Sequence, residues 1–209
     1  LDVDALAVYS GVDKTSPFYD ASKVAEAYAL LRLDRSEEAI AELQALYADT
    51  RSSRVNRALA DAYRALERYP EALALYNELV AEEEAAGRNG DWDLYYSRGV
   101  SFERTGDWRS AEEDFQHALA VLPDDSAAQA QVLNYLGYTW VDRGERLEEA
   151  FAMIERAVAL EPDSGYIVDS RGWAHYKRGE YDIAVQHLER AVELDPQGPT
   201  INEHLGDAY

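Results

Sequence analysis

Tyr166–Pro196 reads YIVDSRGWAHYKRGEYDIAVQHLERAVELDP, and both halves carry apolar residues at three- and four-residue spacing, the pattern of two amphipathic helices. Arg178-Gly179-Glu180 separates the halves. A glycine there lets the backbone reverse without a Cβ penalty, so the segment is expected to fold as a helical hairpin. Pro196 stops the second helix, because proline has no N–H to continue the ladder. Gly172 sits inside the first helix, where it costs about 1 kcal/mol relative to Ala. Such a cost points to close helix approach, and Ala184 early in the second helix leaves room for that contact.

The same arrangement recurs on either side. Gly99, Gly137, Gly172 and Gly206 fall 38, 35 and 34 residues apart, Ala39, Ala72, Ala111, Ala150 and Ala184 step by 33, 39, 39 and 34, and Pro123, Pro162 and Pro196 by 39 and 34. A bulky residue follows the small one by three places (Tyr63, Phe102, Trp140, His175, Tyr209) and is expected to fill the adjacent gap. Self-similarity at a period near 34 marks stacked repeats that bury their apolar faces against one another. The pattern predicts an all-helical chain with hairpins at Ala21–Tyr47, Arg54–Glu84, Asp93–Leu122, Ser126–Leu160 and Tyr166–Leu194, then a lone helix from Thr200.

These columns resemble the tetratricopeptide repeat, W-x2-L-G-x2-Y, then A-x3-F, then P. The stretch from Tyr135-Leu136-Gly137 to Pro162 matches, as do Gly172 to Pro196 and Leu205-Gly206-Asp207-Ala208-Tyr209. Ala27 and Asp34 replace glycines the pattern expects. The resemblance implies an all-α, right-handed solenoid of stacked hairpins: a single array over residues 20–209, about five hairpins and the first helix of a sixth. Residues 1–19 read as the tail of a preceding repeat or a loop, with a short amphipathic piece at Asp2–Tyr9. Glu82–Gly90 lengthens one junction, and Asp124–Gln131 adds about a turn to another, with Ser126 and Gln129 in capping-box spacing.

The closing block from Asn134 to Gly206 is also similar to bacterial cell-envelope tetratricopeptide scaffolds and adaptors. That similarity implies a periplasmic or envelope setting, with the cytoplasm as the alternative. The chain opens at Leu1 rather than Met, as a processed or excised segment would, and Tyr209 is the last core residue expected of a first helix without its partner. The expectation is that this end frays after Pro196 or pairs end to end with another copy through Ile201, Leu205 and Tyr209.

Composition narrows the function classes. Lys and Arg total 20 against 41 Asp and Glu, a formal charge of -21, and such a field repels phosphate backbones and anionic lipid headgroups. No nucleic-acid partner is expected. No apolar run approaches the roughly 18 residues of a membrane span, so no direct insertion is expected of this segment. The absence of Cys removes disulfides, thiolate metal sites and a cysteine nucleophile. At 47% hydrophobic the chain is too apolar for an acidic disordered tail.

No catalytic constellation emerges, and no cofactor or metal is expected. His175 occupies the packing column; His117 and His187 lack an H-E-x-x-H pattern, and His204 beside Glu203 lacks a second His ligand. No P-loop, G-x-S-x-G or G-x-G-x-x-G is present. Binding fits better, because first helices line the concave face of such arrays. Residues pointing away from the packing columns are Arg54, Arg57 and Arg64; Tyr96, with Val100 and Glu103; Asn134 and Tyr138; then Tyr166, Asp169, Trp173 and Tyr176. Rings with Asn and Asp compose a surface that grips peptide or protein, although the same rings would equally pack against neighbouring helices. The leading reading is a non-enzymatic interaction scaffold or adaptor binding a protein or peptide in that groove. The alternative is the recognition or regulatory segment of a transferase or protease whose catalytic domain lies outside these residues.

Overall fold

The computed structural model describes residues 2–88 and 90–209, with side chains from residue 6 onward. Twelve α-helices and no strand occur among the described residues. Helix α1 (Asp2–Tyr9) precedes five hairpins: α2 (Tyr19–Arg32) with α3 (Ser36–Thr50), α4 (Ser53–Ala65) with α5 (Tyr69–Ala85), α6 (Trp92–Arg104) with α7 (Trp108–Val121), α8 (Ala127–Arg143) with α9 (Leu147–Leu160), and α10 (Gly165–Lys177) with α11 (Tyr181–Leu194). Helix α12 (Pro199–Ala208) closes the chain. The helices agree with the periodicity reading to within a few residues at each end. The chain divides into two compact units, Leu1–Asp114 and Phe115–Tyr209, the division falling inside α7.

One turn geometry reverses the chain in all five hairpins. The N–H of Arg35, Arg68, Asp107, Glu145 and Glu180 donates to the carbonyl five residues earlier (Leu30, Tyr63, Phe102, Trp140 and His175) at 2.8–3.0 Å. This is a Schellman closure, which satisfies carbonyls the helix end would otherwise orphan. It forces the residue before each donor into the left-handed region: Gly106, Gly144 and Gly179 fill three turns, but Asp34 (φ 59°) and Glu67 (φ 58°) fill the first two. The backbone need is constant and the glycine is not. At the lengthened junction the capping box forms: Gln129 N–H donates to Ser126 Oγ at 3.1 Å, and Asp125 N–H donates back to Gln129 Oε1 at 3.0 Å.

Packing follows the small-residue columns. A Cβ on Gly137 would stand 2.9 Å from Ile154 Cγ1, and one on Gly172 2.6 Å from Leu188 Cγ, so each first helix lies flush on its partner. Alanines of the second helices then join successive first helices: Ala130, Ala157 and Ile167 form one buried cluster, and Val168, Ala191 and Ile201 form the next. Ala157 to Ala191 and Ile167 to Ile201 are both 34-residue steps. Tyr63, Trp140 and His175 of the bulky column are buried. At α12 the pattern stops: a Cβ on Gly206 would meet nothing within 4 Å, and Tyr209 is 79% exposed, its hydroxyl donating to Glu189. Ile201 is buried there and Leu205 partly so.

Candidate functional site

The first helices of the two units present different chemistry. In the first unit the face of α4 is ionic and centred on Asp61. Its carboxylate accepts from the Tyr76 hydroxyl at 2.6 Å and the Tyr28 hydroxyl at 3.5 Å, and pairs with Arg57 at 3.3 Å. Arg57 also reaches Asp93 at 2.5 Å and Asp91 at 3.6 Å, while Arg64 Nε donates to the Tyr76 hydroxyl at 3.2 Å. Burial, reinforced by the Asp61 charge, pushes the Tyr28 phenol up to about 12 and the Tyr76 phenol up as well, so both stay hydrogen-bond donors.

Two expected groove cations, Arg57 and Arg64, are therefore tied into the protein's own network, and of the three only Arg54 is exposed. Asp61 is the residue that sequence reading missed. It lies one place after Ala60, on the same face as Arg57 and Arg64, and that alternation of charge at four- and three-residue spacing was the available signal. Tyr96 on α6 is half-buried, its ring tilted against Trp92 at 6.3 Å.

In the second unit the corresponding face is aromatic and organised by His204 of α12. The His204 ring stacks on Trp173 of α10 at 4.1 Å between centroids and lies 6.2 Å from the Tyr138 ring of α8. Trp173 also stacks on Tyr176 at 4.8 Å, and the Lys177 ammonium sits 5.6 Å from the Trp173 centroid. His204 Nδ1 lies 2.9 Å from Asp169 Oδ2 in a pair of which both members are buried. An ionised carboxylate only accepts, so Nδ1 carries a proton toward Asp169 and the ring is held in one orientation.

The structure thus brings Tyr138, Asp169, Trp173 and Tyr176 together around His204 and places Asn134 one turn before Tyr138. Two of these depart from the expectation of a partner-facing surface. Asp169 is 4% exposed, held against His204, and Asn134 is 6% exposed. Tyr166 is 54% exposed at the first turn of α10, with no ring contact to the cluster. Asn134 Oδ1 and Trp173 Nε1 are both buried without a hydrogen-bond partner. His175 is held by Glu180 at 2.6 Å and packs edge-on against Phe151. No group of three or more His, Asp or Glu fit to hold a metal occurs among the described residues, and no described helix is long and apolar enough to cross a membrane.

Repeating hairpins and flush glycine contacts are the geometry that the repeat pattern implied. Tetratricopeptide-repeat family models match residues 51–124 and 96–165, and a TPR-repeat model matches 172–209. The chain is a tetratricopeptide-repeat protein. A curated relative, the TPR repeat-containing protein PA4667 of Pseudomonas aeruginosa, is 30% identical over 194 residues. That match takes in 93% of this chain, which spans only 30% of the relative's length. Among solved structures, BtubC from P. vanneervenii superposes with a TM-score of 0.72 at 16% identity, over 92% of this chain and 87% of that one. YrrB, described as a TPR protein with an unusual peptide-binding site, gives 0.61 at 18% identity over 99% and 97%. At these identities the structures establish the tetratricopeptide fold, an architecture suited to protein–protein interaction.

Proposed function

We propose that this tetratricopeptide segment is a non-enzymatic docking module that receives an extended stretch of a partner protein on the first-helix face of its second unit. The observation that carries the reading is the pair of buried polar atoms without partners, Asn134 Oδ1 and Trp173 Nε1, beside the cluster of Tyr138, Trp173, Tyr176 and His204. Buried polar groups are almost always satisfied, and leaving one unpaired costs about 1–3 kcal/mol. One is an acceptor and the other a donor. A polypeptide backbone offers an N–H and a C=O at every residue and can satisfy both, while the rings supply contact area with few rotors to freeze.

Asp169 acts as a positioning residue that fixes the His204 ring, and Tyr166 extends the apolar surface at the end of α10. The first-unit face, with Arg54, Arg57, Arg64 and Tyr96, belongs to a different chemistry, because Arg57 and Arg64 are already engaged within the protein. The test is an array of immobilised random 12-residue peptides probed with the wild type, Tyr138→Ala and Asn134→Ala. Binding to a subset of peptides that both variants lose while keeping their helical circular dichroism is expected. Peptide binding that neither variant alters would overturn the proposal.

A further inference from the structure

The aromatic face of the second unit has two walls that the repeat pattern predicts, α8 and α10, and a third that it does not. Asn134 and Tyr138 come from α8 and Asp169, Trp173 and Tyr176 from α10, but the ring on which they meet, His204, belongs to α12. That ring lies 4.1 Å from Trp173 with the planes 14° apart, and its Nδ1 is 2.9 Å from Asp169, both members of the pair being more than nine-tenths buried. Whatever seats His204 therefore also places Trp173 and Asp169. The seat of α12 is a stripe at three- and four-residue spacing: Ile201 in a cluster with Val168 and Ala191, then His204, then Ala208 in a cluster with Ala184 and Leu188. The cluster around Ile201 contains no residue of the docking face, whereas His204 joins the seat to it.

We infer that occupancy of the docking site and the seating of α12 are coupled: the face is complete only while α12 is seated, and a docked segment holds α12 in place; the inference rests on the docking reading above. A helix of ten residues does not persist in water without tertiary contacts, so opening of α12 as a unit is the local event its seat resists. Opening withdraws a ring from Trp173 and strips the buried Asp169 carboxylate of its partner, so the face left behind is not the one that docks a segment. Binding couplings are reciprocal. If a seated α12 improves docking by some factor, docking stabilises the seat by the same factor, and loosening α12 anywhere along its stripe lowers the apparent affinity in proportion to the molecules still seated. Gly206 offers an independent handle on that equilibrium. It lies inside α12, and a Cβ there meets nothing within 4 Å, so Ala at that position strengthens the helix without touching the rings or the Ile201 cluster.

The probe is the 12-residue peptide bound most tightly on the random array, added to the full chain. Amide hydrogen exchange is read together with the 15N-resolved Trp173 indole signal, assigned with Trp173→Phe. Saturating peptide is expected to shift that signal and to slow exchange across α12 about tenfold. Ile201→Ala, which removes no residue of the face, is expected to weaken the peptide about tenfold. Gly206→Ala placed on that background is expected to recover about threefold, the order of the Gly–Ala difference in helix propensity. If the peptide shifts the Trp173 signal but leaves α12 exchange unchanged, or if Ile201→Ala binds as tightly as the wild type, α12 is not coupled to the site and docking stands on α8 and α10. If Gly206→Ala recovers nothing, the loss in Ile201→Ala came through α10 and the coupling falls likewise. If no peptide on the array binds, the docking reading falls and the coupling with it.

Discussion

The face of α4 in the first unit and the face of α8, α10 and α12 in the second occupy equivalent columns of the same repeat, yet one is filled by ion pairs and the other by stacked rings. Around Asp61 each charge and each buried phenol has a partner inside the protein. Around His204 the rings are stacked and the carboxylate is paired, but an amide oxygen and an indole N–H are left without partners. Repeat architecture supplies the same scaffold twice. What differs is the chemistry of the side chains in the columns: charges that pair with one another on α4, and rings that offer contact area in the second unit.

The largest effect should come from the core that both faces rest on. Trp140 is 2% exposed in the bulky column, so Trp140→Ala should cost about 3–5 kcal/mol in urea unfolding. Asp61→Ala tests whether the ionic face depends on one carboxylate. It removes one of the three carboxylates around Arg57 and the acceptor of the buried Tyr76 and partly buried Tyr28 hydroxyls, and a loss of about 2–3 kcal/mol is expected, below the range for fully buried pairs because Arg57 and Asp61 remain partly wet. A loss under about 0.5 kcal/mol would place it with ordinary surface pairs.

Trp173→Ala sharpens the contrast, because its ring stacks on His204 and Tyr176 but is only half-buried. A cost of about 1–2 kcal/mol is expected, between core and surface values. A loss equal to that of Trp140→Ala would make it core. Glu67→Gly should act in the other direction: Glu67 holds a left-handed conformation in the same turn that glycine fills in three later hairpins. Left-handed backbone costs an L-residue roughly 1–2 kcal/mol, part of which glycine returns as unfolded-state entropy, so a gain of about 0.5–1 kcal/mol is expected from thermal unfolding.

The smallest effects separate the units by pH. Burial, with Arg171 and His175 nearby, lowers the His187 pKa from 6.5 to about 4. Between those values the unfolded chain binds a proton that the folded second unit does not, so its stability falls as pH drops through that window. His187→Gln should flatten the fall, by about 1 kcal/mol or less given the ring's partial exposure. In the first unit burial, with Glu26 adding to it, raises the Glu42 pKa above 4.5. The contribution of that carboxyl is present below 4.5 and lost as pH rises through the raised value. Glu42→Gln should therefore stabilise at pH 7 and have no such benefit at pH 4, read from amide exchange in the first unit.

The hairpins, their boundaries and the Ser126–Gln129 cap were legible because each depends on residues within one or two helices. Periodicity also ranked the faces correctly, putting Gly137 and Gly172 against partner helices and Trp140 in the core. It could not say which neighbour covers a given residue. Asp169 meets His204 across 35 residues, and Arg57 meets Asp93 across 36, so burial of Asp169 and the tying-in of Arg57 are set by a helix that single-helix patterning does not see. The turns at Asp34 and Glu67 escaped for another reason: the Schellman closure demands a backbone conformation, and glycine is the easiest way to supply it but not the only one.

That reach of about one repeat has a mechanical consequence. Tyr28 to Asp61, Arg57 to Asp93 and Asp169 to His204 each bridge 33 to 36 residues, so within each unit a hairpin is fastened to its neighbour and these ties go no further. Such a chain behaves as a one-dimensional stack. Pulled from its ends, it should lengthen in steps of roughly one hairpin rather than in a single rupture, and a peeled hairpin should snap back quickly, since it has only nearby contacts to find again.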